Sequence, residues 1–167
     1  VAGEIASYID EENFEENYPQ LAETTRGLFT DKRTSTKIIS AIISEDEFAD
    51  DASQTLFNIR RKVKSHEAQI RETLNSMIKN PKYALALQDA IVTMRGDRFV
   101  VPVKSEHRAS VPGIVHDSSS SGATIFVEPM AVVEINNKIR ECKVQEKKEK
   151  EKILQHFSNL IAEDAPG

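Results

Sequence analysis

The chain has no tryptophan and a single cysteine, Cys142, among its 167 residues. A lone thiol excludes an internal disulfide and any zinc site built on paired cysteines, and it fits a reducing, cytoplasmic setting. No run of about 18 apolar residues offers a membrane span. The opening Val1-Ala2-Gly3-Glu4 has neither a basic segment nor an apolar one behind it, so no export signal is expected. Aromatic residues are sparse at 6%, which leaves a surface-rich, helix-leaning composition rather than one built around large rings. Positive charge is short as well. With a formal net charge of −5, the chain as a whole is not a polyanion binder of the histone or ribosomal kind, and any nucleic-acid contact has to come from a local patch. An initiating Met is absent, and Ala165-Pro166-Gly167 follow directly on a helical pattern, so both ends read as cut points within a longer protein.

The residues that are present fall into blocks. From Val1 to about Ile43 the pattern is of short helices with polar joints. Pro19 suits a helix start, and Asp10 to Glu16 is acidic and solvated. Thr34 to Ile43 places Ile38, Ile39, Ile42 and Ile43 on one face, as in a short buried helix. Ser44 to Asp51 breaks that pattern, and Asp50, Asp51 and Ser53 are N-cap candidates for a second helix. This long helix is expected from about 52 to 80, with Leu56, Ile59, Val63, His66, Ile70, Thr73 and Met77 spaced as a packed seam. Asn80-Pro81 ends it, because the residue before a proline disfavours helical geometry.

The texture then turns to β. Ile91 to Met94 and Arg98 to Val103 are β-branched or aromatic runs separated by Arg95-Gly96-Asp97, the signature of a hairpin. Val111 to Val115 and Thr124 to Glu128 supply two more short strands, with His116 to Gly122 as a polar loop between them. Another long helix is expected from about Met130 to Ala162. Its seam runs through Val132, Ile135, Ile139, Cys142, Glu146, Glu149, Ile153, His156 and Leu160. Its middle, Lys143 to Lys152, mixes both signs and reads as solvent-exposed.

The stretch IVTMRGDRFVVPVKSEHRASVPGIVHDSSSSGATIFVEPMAVVEINNKIRE carries a resemblance. Val101 to Lys104 (VPVK), Gly113 to Thr124 (GIVHD followed by serines and GAT), Phe126 to Pro129 (FVEP) and Asn136-Asn137 match the pattern of the bacterial MutS-II family, the second subfamily of MutS homologues. The likeness covers about residues 50 to 160 and is much looser over 1 to 45. It implies a mainly α fold with a small antiparallel β unit: a helical core segment (1–50), an outgoing lever helix (51–90), a β clamp-like unit (91–129) and a returning lever helix (130–167). Family members carry an ATPase and usually a C-terminal Smr nuclease domain, act as dimers on nucleic acid, and are associated with suppressing recombination and with stalled ribosomes. The implied partners are DNA, with a ribosome or RNA as the alternative, and a second copy of the full-length protein; no membrane is implied. A third alternative is a lever that transmits motion and binds nothing. No GxxxxGK[ST] phosphate loop occurs, so no nucleotide or other cofactor is expected in this stretch, and the stretch itself is expected not to be an enzyme.

Individual residues leave alternatives open. Arg95, Arg98, Lys104, His107 and Arg108 form a local positive excess opposed only by Asp97 and Glu106; it reads either as phosphate-pairing charge or as a solvated hairpin face. Stacking aromatics are few, Phe99 and Phe126 only. His116, Asp117 and the neighbouring serines are hydrolase residue types, but adjacency in sequence does not make a triad. The competing reading is a tight loop in which Asp and Ser side chains satisfy backbone groups and Gly122 takes an unusual φ. His66 and His156 stand at seam positions, as a register-fixing polar layer or as part of a metal site. Glu128 is either a structural acceptor at the strand end or a partner of the basic patch.

Overall fold

The computed structural model describes residues 32–44 and 47–164; the expected features at Asp10 to Glu16 and at Pro19 lie outside them. The chain divides into two compact units, Val1–Gln54 with Glu149–Gly167, and Thr55–Lys148. The architecture is mainly α, with one four-stranded antiparallel sheet. None of the described helices is long and apolar enough to cross a membrane.

In the first unit, α1 (Lys32–Ala41) stops earlier than the isoleucine pattern suggests. Ile42 and Ile43 therefore lie beyond the helix, where Ile42 forms an isolated bridge with Phe48 and the Ala49 N–H donates to the Ala41 carbonyl. Burial goes to Ala41 and Phe48, whereas Ile39 and Ile43 are exposed. The expected four-isoleucine face is thus corrected: the chain turns back at residue 42, and Ala41 and Phe48 are the residues buried there. Ser53, one of the N-cap candidates, directly precedes the next helix and donates from Oγ to Glu149 Oε1 at 2.8 Å. Further along, Ile153 and Phe157 are buried while His156 is exposed. The seam is therefore taken by the apolar ring of Phe157, one position beyond the expected histidine.

The second unit is built on α2 (Gln54–Ile78), the start of α3 (Met130–Asp164) and the sheet. No glycine or proline interrupts α2, and Asn80, extended at φ −77° and ψ 124°, closes the segment and caps a short 3₁₀ turn at Pro81–Tyr83 through Oδ1. Strands β1 (Thr93–Arg95), β2 (Arg98–Lys104), β3 (Gly113–Ser118) and β4 (Thr124–Pro129) lie in the order β1-β2-β4-β3. The β1–β2 hairpin turns on Gly96 at φ +60°, a conformation a side chain would disfavour. Pro102 sits within the central strand at no cost to the β2–β4 ladder. Its carbonyl accepts from Gln88 on the far side, and in an extended residue the missing N–H would point the same way.

One core joins these pieces. Ile70 and Leu74 of α2, Phe99, Val101 and Val103 of β2, Val127 of β4, and Val132 and Ile139 of α3 are buried together. On the flank, Arg60 of α2 pairs with Glu146 of α3 at 3.0 Å. The heptad seam on α2 omits Leu74, which is fully buried, and includes Thr73, which is half-buried and returns its hydroxyl to the Gln69 carbonyl. A helix lying on a sheet as well as on a helix needs a wider apolar stripe than a two-helix seam, and Leu74 belongs to the added width.

β3 differs from its expected range. It starts at Gly113 and continues to Ser118, so His116 and Asp117 belong to a strand and not to the loop. Val115 faces Val127 and Asp117 faces Phe126, which leaves His116 as the extra residue of a β-bulge. Gly113 is required by closeness: a Cβ there would stand 2.2 Å from the Glu128 carbonyl oxygen.

Candidate functional site

The bulge determines what the sheet presents. On the face shared by Phe126 and Glu128, alternation also places Arg95 and Arg98, and the bulge adds His116 and Asp117 to the same face. Glu128 has no exposed surface, yet it is fully partnered. Oε1 accepts from Arg98 Nη1 at 3.1 Å and from Asn136 Nδ2 at 2.8 Å, and Oε2 is hydrogen-bonded to His116 Nε2. Asn136 is itself buried and takes the Phe99 N–H on Oδ1 at 3.3 Å. Arg98 Nη1 donates also to Asn137 Oδ1 at 2.8 Å. The carboxylate thus ties the start of β2, the bulge of β3 and the first turns of α3 to the end of β4. No buried side-chain nitrogen or oxygen among the described residues lacks a partner.

Of the two readings of Glu128, the structure gives both at once: it is a structural acceptor, and its partner is Arg98 of the basic patch. The Asn136-Asn137 pair has a division of labour, one residue inward to Glu128 and the Phe99 backbone, the other outward to Arg98.

The five cations singled out in the sequence do not form one cluster. Arg95 and Arg98 face each other across the hairpin. Lys104 closes the other end of β2, about 20 Å away at some 3.3 Å per residue, and His107 and Arg108 come next in the 3₁₀ segment Ser105–Ser110. Within the first group, Arg95 Nε pairs with Asp117 Oδ2 at 3.1 Å, and its guanidinium lies 3.5 Å from the centre of the Phe126 ring. Arg98 is 13% exposed and engaged by Glu128, with Asp97 at 3.8 Å. In the second group no described residue pairs with the side chains of Lys104, His107 or Arg108, and Arg108 is exposed.

A recess of about 400 Å³ opens beside the first group, lined by Arg95, Asp97, Arg98, His116, Asp117 and Arg140. Arg140, on α3 one turn beyond Asn137, has no ion-pair or hydrogen-bond partner among the described residues. Sequence reading passes over it because the helix around it mixes lysines, arginines and glutamates, and nothing local marks one arginine from the next.

The serine loop closes by the means expected of it. Asp117 Oδ1 accepts from the Ser118 N–H at 2.8 Å, Ser119 Oγ from the Thr124 N–H at 3.1 Å, and Gly122 adopts φ +73°. His116 is paired with Glu128 and not with Asp117 or a serine. Among the described residues no group of His, Cys, Asp and Glu is arranged to hold a metal ion.

Comparison with known proteins places these features in a family. No family model matches the chain. It is 47% identical over 157 residues to the endonuclease MutS2 of Ruminiclostridium cellulolyticum, covering 94% of this chain and 20% of that protein. To the endonuclease MutS2 of Clostridioides difficile it is 50% identical over 154 residues, 92% of this chain and 19% of the relative. For the protein of the same name from Acetivibrio thermocellus the identity is 52% over 134 residues, 80% of this chain and 17% of the relative. The chain therefore spans about a fifth of the length of these relatives. Their names overturn the expectation of a non-enzyme, which rested on missing motifs: proteins called endonucleases point to an enzyme, and a stretch that aligns to a fifth of one is too short for missing motifs to decide the matter. With this identity along most of its length, and with His116, Glu128 and Asn136 of the matched motifs joined by hydrogen bonds, the chain is a MutS-II-type fragment, a region of the MutS family.

Proposed function

We propose that this chain is the lever and clamp region of a DNA-processing enzyme, dimeric when full-length, and that it grips duplex or branched DNA through its phosphates. Residues 51–90 act as the outgoing lever, 91–129 as the clamp and 130–167 as the returning lever, with 1–50 belonging to the helical core. The observation that carries the reading is the placement of charge. In a chain of net charge −5, arginines, a lysine and a histidine gather at both ends of β2. Arg108, exposed and without a partner among the described residues, and Lys104 are the direct phosphate contacts, with His107 beside them. Arg95 adds charge at the hairpin, and Arg98 contributes mainly by holding the sheet to α3. Contacts of this kind position a protein on nucleic acid without reading its sequence. The relatives' name, endonuclease MutS2, agrees with a DNA substrate.

The test is a fluorescence-anisotropy titration with duplex, junction and single-stranded DNA and with structured RNA, at low and physiological salt. DNA binding that weakens with salt, with a log–log slope that falls by about two in a Lys104→Ala, Arg108→Ala double variant, is the expected result. Flat curves with every DNA at low salt would remove the reading, and a preference for structured RNA would replace DNA by a ribosomal target. A purely structural lever is the second reading. It is favoured by the Arg98–Glu128–Asn136 network, which fastens the helix to the sheet whether or not anything is bound.

A further inference from the structure

The recess between the hairpin and α3 differs from the exposed cations in being assembled from four elements and in having its charges already sorted. Asp117 is held by Arg95, Asp97 lies against Arg98, and Glu128 is shared by Arg98, His116 and Asn136. All three carboxylates, two lining the recess and one buried beneath it, are engaged by Arg95 or Arg98. Arg140 is the guanidinium that none of them engages. It lines the recess, it is exposed, and no described residue pairs with it. The other two guanidinium groups are pre-positioned, Arg95 by the Phe126 ring and by donation to the Met94 carbonyl, Arg98 by Asn137. Donors fixed in advance lose little freedom when a ligand arrives.

We propose that this recess is a subsite for a single phosphodiester group, with Arg140 as its primary ligand and Arg95 and Arg98 as its walls. The inference rests on the nucleic-acid reading and deepens it by naming the group bound and the residue that binds it. A guanidinium can meet the two non-bridging oxygens of a diester with two parallel N–H bonds, a geometry a lysine cannot reproduce. Base recognition has no place here, because the aromatic ring at the site, Phe126, is already covered by Arg95. The recess therefore takes the backbone common to DNA and RNA.

The subsite is tested apart from the wider reading by titrating the 167-residue chain with dimethyl phosphate and monitoring the arginine Nε–H resonances, against sodium chloride at matched ionic strength. Saturable shifts at Arg95, Arg98 and Arg140, abolished in Arg140→Ala and reduced in Arg140→Lys, are expected. Shifts at Arg95 and Arg98 that persist in Arg140→Ala, or none beyond those caused by chloride, would overturn the proposal. In parallel, Arg140→Ala is expected to lower the salt slope of duplex DNA and structured RNA binding by about one, and an unchanged slope would likewise overturn it. The two arms separate the outcomes. Dimethyl phosphate in the recess with no polymer bound would preserve the subsite and remove the DNA-gripping role, while polymer binding indifferent to Arg140 would do the reverse. Arg140 lies on the exposed side of its helix, and an unchanged thermal melt of Arg140→Ala would assign any loss of binding to the missing side chain.

Discussion

Glu128 is the residue on which most of the second unit's polar order depends. Its carboxylate is fully buried, and three side chains from three elements converge on it. Glu128→Gln keeps the shape but removes the charge that Arg98 faces, and breaking one side of a buried pair typically costs about 3 kcal/mol. Urea unfolding of that variant should show a lower midpoint at unchanged slope. A loss under about 1 kcal/mol would mean that the network is ornamental. Asp117→Asn is the contrast: its pair with Arg95 is 52% and 34% exposed, and its loss should stay below about 1 kcal/mol. Gly113→Ala meets a different obstacle, the backbone oxygen of Glu128 at 2.2 Å, which cannot rotate aside. Overpacking of this sort should cost about 2 to 3 kcal/mol. Gly96→Ala, with open space around it and only its positive φ to strain, should cost about 1 kcal/mol in the same urea series.

At the scale of elements, α2 and β2 hold the core, and the burial of their residues separates stabilising positions from indifferent ones. Leu74→Ala should lower stability by about 3 kcal/mol because its side chain is wholly enclosed. Leu85→Ala, 77% exposed, should change it by less than about 0.5 kcal/mol, and thermal melts of the two side by side would check the ranking. The elements themselves are largely legible in the sequence. Runs of β-branched residues, Gly96 in the hairpin and Pro81 after α2 are local signals, and each acts within a few residues of where it stands. The features that stay hidden depend on distance. The bulge at His116 interrupts the two-residue period by which a strand is recognised, so β3 reads as shorter than it is. Leu74 lies off the heptad trace because that trace assumes a helix partner alone. Glu128, His116, Asn136 and Arg98 are up to 38 residues apart in the numbering and converge only once the sheet has formed. Family likeness marks His116, Glu128 and Asn136 as a pattern, and the structure supplies the physical reason they occur together.

Across the whole molecule, acidity in total and basicity in places set the behaviour toward solvent and partners. A net charge of −5 makes the chain as a whole a poor partner for polyanions, while the cations beside β2 remain able to meet phosphate at close range. Arg140 shows why a chain-wide charge sum is a poor guide to binding, since what counts at the recess is the one guanidinium that no described residue pairs with. The bulge in β3 has a further consequence, concerning solubility. Among the described residues β3 ends the sheet and pairs with β4 alone, so no described strand covers its other edge. A flat edge of that kind is a template for strands of other molecules, and a bulge that twists it, with polar Asp117 and Ser118 just beyond, spoils the match. Deleting His116 would restore an even ladder along that edge. The expected result is a protein that accumulates in the pellet on heating and grows in light scattering at rest, where the parent chain stays clear.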